Sequence, residues 1–66
     1  MQVIVNGKRE ALGADTTVAQ FLAAHDLRPE TVVVELNETI IASDRYADTR
    51  LAENDRLEIV RFVGGG

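Results

Sequence analysis

The chain has no cysteine and no tryptophan. It can therefore form no disulfide, offer no thiolate to a metal and present no cysteine nucleophile. A cysteine-free chain suits a reducing compartment. His25 is the only histidine, too few imidazoles for a zinc cage. Lys8 is the only lysine and no basic cluster occurs, which argues against nucleic-acid binding. No apolar run is long enough to span a membrane, and no signal-peptide pattern is present. The expected location is cytoplasmic, with neither membrane nor nucleic acid as partner.

What remains is small and acidic. Sixty-six residues with a net charge of -4 and a pI near 4.7 make one domain, which buries about 60% of its unfolded surface. An acidic surface favours encounter with a basic partner, although solubility alone would explain the charge.

Periodicity divides the chain into strands and one helix. Residues 1–5 alternate, with Met1, Val3 and Val5 on one face and Gln2 and Ile4 on the other. Asn6-Gly7 is a strong hairpin signal, and residues 8–12 form the return strand. Thr17 with Gln20 makes a capping box. Val18, Phe21, Leu22 and His25 follow at helical spacing, and Asp26-Leu27-Arg28-Pro29 is expected to close the helix, with Pro29 disfavouring helical geometry at Arg28. Residues 31–36 are a strand with Val32, Val34 and Leu36 inward, Asn37-Glu38 a turn, and residues 39–42 a short strand. Ser43 is expected to cap a brief helical turn, and Leu51 to enter the core. Asn54 fits a left-handed turn position before a last strand over residues 57–63. Pairing the first and last strands in parallel at the sheet centre, under one helix, gives an α+β fold of the β-grasp (ubiquitin-like) type.

No self-sufficient active site emerges. His25 suits a helix C-terminus, where the dipole favours a cation. Ser43, the only serine, reads as a cap rather than as part of a triad. Glu35, Glu38, Asp44, Asp48, Glu53, Asp55 and Glu58 fall in turns or on outer strand faces, with solvation as their default role. The glycines at the end are not a phosphate loop, because no helix follows them.

Those glycines are the informative feature. Gly64, Gly65 and Gly66 follow the last strand and add nothing to stability. A frayed or artificial terminus is the plain alternative. A thin, flexible arm with a free carboxylate is the functional one, giving a domain over residues 1–63 and a tail over residues 64–66. Gly64 and Gly65 would let a partner's active site approach, and Gly66 would carry the chemistry. ATP consumed by a partner could convert the Gly66 carboxylate to an acyl-adenylate, and a sulfur nucleophile could displace AMP to leave a thiocarboxylate. From Val63 onward the arm reaches about 13 Å. The expected docking face is Val60 and Phe62, outward on the last strand, with Val63 at the base of the tail and Ile4 on the adjacent strand. Leu57 and Ile59 are expected inward.

The chain as a whole resembles the ThiS family of sulfur carriers in bacterial thiamin biosynthesis. The likeness rests on Asn6-Gly7, residues 17–22 (TVAQFL), residues 33–37 (VVELN), Ile40-Ile41 before Arg45-Tyr46, residues 55–60 (DRLEIV) and the close RFVGGG. Asn54 stands where such chains often have glycine. The resemblance implies a β-grasp protein that is not an enzyme but a recycled co-substrate, with no cofactor or metal of its own. It implies adenylation of Gly66 by a ThiF-type, E1-like enzyme. It further implies sulfur from a cysteine desulfurase and delivery of that sulfur to thiazole synthase, ThiG. The rival readings are a MoaD-like carrier for molybdopterin, a ubiquitin-like protein modifier and a passive interaction module.

Overall fold

The computed structural model describes residues 1–62. Strands β1 (Gln2–Val5) and β2 (Lys8–Ala11) form the expected hairpin, with Val5 opposite Lys8. Its turn places Asn6 at φ 49° and Gly7 at φ 84°. Both values are positive, as the tight turns that match strand twist require.

Helix α1 (Val18–Ala24) starts with the expected capping box. The Gln20 N–H donates to the Thr17 hydroxyl at 3.1 Å, and the Thr17 N–H donates to the Gln20 side chain at 2.9 Å. Val18, Phe21 and Leu22 are buried against the sheet. The helix stops at the start of the expected closing segment, with Ala24 its last residue and His25 its C-cap, so Asp26 rather than Pro29 ends it. Asp26 adopts φ 56°, its N–H donates to the Ala23 carbonyl at 3.1 Å, and the Leu27 N–H donates to the Leu22 carbonyl at 2.9 Å. This is a Schellman motif, here with aspartate in the left-handed place usually held by glycine. Pro29 instead opens a 3-10 turn (Pro29–Thr31), where a missing N–H leaves no bond unmade.

Strands β3 (Val32–Leu36) and β4 (Thr39–Ile41) are joined through Asn37 at φ 51° and Glu38 at φ 71°. The expectation for Ser43 fails. Strand β4 stops at Ile41, so extended Ala42 takes the cap position of the next 3-10 turn (Ser43–Arg45), and no side chain caps it. Strand β5 (Arg56–Arg61) begins after a turn with Asn54 at φ 67°. Two carboxylates read as merely solvated have structural roles here. Glu53 accepts the Gln2 N–H at 3.0 Å. Asp55 accepts the Ala52 N–H at 2.7 Å and the Asn37 side-chain amide at 3.0 Å.

The five strands lie in the order β2-β1-β5-β3-β4. Strands β1 and β5 are parallel at the centre, and all other pairs are antiparallel. One face packs on α1 and holds Val3, Val5, Val34, Leu51 and Leu57 in the core. Tyr46 joins them at 3% exposure, a role not anticipated from its place in a polar turn. Its carbonyl accepts the Ala19 N–H at 3.0 Å, which ties that turn to the helix. A mixed sheet grasping one helix is the expected β-grasp fold.

Candidate functional site at the end of the last strand

Strand β5 is the last described element, so its register decides which side chains accompany Phe62, the last described residue. The Leu57 side chain is buried at 1% exposure, and Ile59 is half-buried against the core. Glu58, Val60 and Phe62 point to the opposite, open face, with Val60 at 60% and Phe62 at 59% exposure. The Phe62 N–H donates to the Thr31 carbonyl at 2.9 Å, so pairing with the β3 side continues past the strand's formal end. The inward and outward sets agree with the sequence expectation. Val63, Gly64, Gly65 and Gly66 lie outside the described residues.

The open face divides into two parts. Toward the tail, Val60 lies directly opposite half-buried Val33. Ile40, at 66% exposure, pairs with Glu35 and so stands diagonally across from Val33. These residues and Phe62 make an apolar area beside the chain's exit. Behind it, Glu35 and Glu58 are direct cross-strand partners. Like charges so placed cost stability, so this part of the sheet face is acidic at the expense of the fold.

Ile4 does not extend the apolar area as expected. It lies on the open face, but its β5 partner is Arg56, and Glu58 separates that level from Val60. The cause is the β1–β5 register, which sets Ile4 beside Arg56, four residues before Val60. Val33 and Ile40 take the place assigned to Ile4. Alternation within residues 32–36 already put Val33 outward. Adjacent Ile40 and Ile41 left no such signal for Ile40.

The other candidates have structural settings. His25 is the C-cap of α1. Its Nε2 lies 3.3 Å from the Glu10 carboxylate, and its ring sits 4.3 Å from that of Phe21. Among the described residues, no group of His, Asp and Glu is placed to hold a metal ion. No helix among them is long and apolar enough to cross a membrane.

The geometry thus places an apolar and acidic sheet face beside Phe62, the last described residue. The profile of the ThiS family matches residues 3–66. The sulfur carrier protein ThiS of Bacillus subtilis (strain 168) is 43% identical over 63 residues, covering 94% of this chain and 96% of its own. A thiazole synthase of Magnetococcus marinus is 35% identical over 66 residues, covering 100% of this chain but 20% of its own length. The crystal structure of a thiamine biosynthesis protein (ThiS) from Geobacter metallireducens superposes with a TM-score of 0.84 at 30% identity, and each chain is covered completely. The chain belongs to the ThiS family.

Proposed function

We propose that this chain is a sulfur carrier of thiamin biosynthesis and that Gly66 bears the sulfur. The observation that carries this is the match over nearly its full length to a protein named as a sulfur carrier, with the family profile running to residue 66. In the first step a Gly66 carboxylate oxygen attacks the α-phosphorus of ATP, and pyrophosphate leaves. The resulting acyl-adenylate is an activated electrophile. Sulfide displaces AMP to give the thiocarboxylate directly. A protein persulfide would give an acyl disulfide, which a thiol then cleaves to the same product. The chain has no cysteine, so the sulfur comes from outside.

The chain acts in this scheme as a co-substrate. A ThiF-type enzyme supplies the adenylation site, and a cysteine desulfurase supplies the sulfur. Thiazole synthase is the acceptor, supported by the thiazole synthase that contains a segment similar to this entire chain. Gly64 and Gly65 give those active sites access to the terminus. Val60, Phe62 and Val63 dock the carrier, joined by Val33 and Ile40. The consumption of ATP fits a cytoplasmic setting.

The test is intact-protein mass spectrometry after incubation with the activating enzyme, ATP and a sulfur source. The expected product is the chain with one oxygen exchanged for sulfur, mapped to Gly66. An isopeptide-linked ladder supports the protein-modifier reading instead. An unchanged terminus defeats both.

A further inference from the structure

The core-side face of the sheet is only partly covered. Helix α1 has 7 residues, roughly 10 Å of length. Strand β5 has 6, roughly 20 Å. Beyond the helix C-terminus the uncovered end of the sheet is an open groove of about 380 Å³. Its floor is apolar, formed by Val5, Phe21, Leu27 and Ile59. Lys8 and Arg61 stand on its rim. Lys8 is the sole lysine of a chain with net charge -4, so two cations here go against the overall charge. Glu10, also on the rim, is engaged by His25 at 3.3 Å.

The backbone of β5 is open at the same place. The Phe62 N–H bonds Thr31 on the β3 side, so the Arg61 N–H points the other way. There β1 has ended, and Asn6 supplies the last rung through Ile59. Among the described residues, no strand lies beside Arg61 on that edge. The groove therefore offers an apolar floor, two cations and a free strand edge, one residue from Phe62.

We propose that this groove receives an extended acidic segment of the enzyme that activates the tail, with at least one aliphatic side chain. The segment pairs with the β5 edge at Arg61, sets its carboxylates against Lys8 and Arg61, and lays its aliphatic side chain on Phe21, Leu27 and Ile59. Edge pairing of this kind draws affinity from main-chain bonds and specificity from side-chain pockets. The outer face of the carrier is acidic and calls for a basic partner surface. A local reversal of sign on the groove side fixes the carrier's rotation, so that the tail points into the active site; complementary charge sets register in this way. The proposal rests on the carrier reading above and adds a second contact surface, on the opposite side of β5 from Val60 and Phe62.

The experiment compares three carriers against the activating enzyme: wild type, Lys8→Glu/Arg61→Glu, and a control, Arg45→Glu/Arg50→Glu, with the same charge change away from the groove. Binding is measured by titration calorimetry without ATP, and adenylation by pyrophosphate release. The groove variant should bind at least about tenfold more weakly, with KM raised and kcat unchanged, because the loss is in docking rather than chemistry. The control should change much less. Equal binding by groove variant and wild type overturns the proposal. So does an equal loss in the control, which would mean that only overall charge matters, and so does a wild-type carrier that does not bind the enzyme. Binding without adenylation of wild type, in contrast, removes the carrier reading and leaves the groove to be judged by the binding data. Circular dichroism of both variants confirms that each is folded.

Discussion

The side chain of Asn6 acts as one more residue of β1 toward Ile59. Its Oδ1 accepts the Ile59 N–H at 2.8 Å, and its Nδ2 donates to the Ile59 carbonyl at a longer 3.4 Å. The backbone rungs before it are the Ile4 N–H to Asp55 and the Asn6 N–H to Leu57, each at 2.8 Å. The chain then turns away at Asn6, and the amide continues the ladder for one step. Asparagine does this because it tolerates positive φ and carries a donor and an acceptor spaced like those of a peptide group. The strand that leads to the tail is thereby held past the end of its neighbour.

Asn6→Gly isolates that clamp, because glycine keeps the turn geometry at φ 49° and removes only the amide. The expected loss is about 1 kcal/mol, the usual net value of such bonding. Hydrogen exchange should accelerate at the Ile59 amide more than at Val34. Uniform acceleration across the sheet would show that Asn6 does not act locally.

The two sides of β5 should separate stability from docking. Ile59 is half-buried against the core, so Ile59→Ala should cost about 1–3 kcal/mol, toward the lower end for core aliphatics. Phe62 is 59% exposed, and Phe62→Ala should change stability by less than about 0.5 kcal/mol. Affinity for the activating enzyme should fall more for Phe62→Ala. Paired melting and binding measurements with the reverse order would remove the outer face as a docking surface.

The tail should be dispensable for folding and required for function. Among the described residues, every buried core residue lies between Val3 and Leu57, so deletion of Gly66 or Gly65→Val should leave Tm unchanged. Deletion shortens the reach of the carboxylate, and valine adds a branched side chain that restricts the backbone and widens the arm. Both should abolish thiocarboxylate formation, read by mass spectrometry. Full conversion of either variant would show that the glycines are not there for access.

Asp26→Gly should stabilise the domain. Asp26 holds φ 56° at the end of α1, a conformation that glycine adopts without steric cost. The expected gain is about 0.5–1 kcal/mol, partly offset by the greater freedom of glycine in the unfolded chain. Urea denaturation checks the sign. A loss would mean that the aspartate side chain contributes more than its backbone strain costs.

Local chemistry determined much of this protein. Asn6-Gly7 specified the hairpin because both residues accept positive φ. Thr17 and Gln20 specified the helix start because their side chains satisfy each other's backbone. Alternation in β5 separated Ile59 from Phe62, since strand side chains point to opposite faces in turn. The order of strands and helix pointed to the β-grasp fold, the terminal glycines pointed to Gly66 as the candidate site, and the resemblance pointed to the family. Other features depend on which elements meet. The parallel register sets Ile4 beside Arg56 and so short of Val60, and Val33, from a strand distant in sequence, lies beside Val60 instead. Tyr46 is buried because its turn folds onto α1, which no local pattern announces. Within the expected closing segment, left-handed Asp26 rather than Pro29 stops the helix, with Leu27 packed against the core and its N–H completing the Schellman bonds. The groove beside Arg61 arises from a helix shorter than the sheet beneath it. It is a relation between elements, and only tertiary packing could create it.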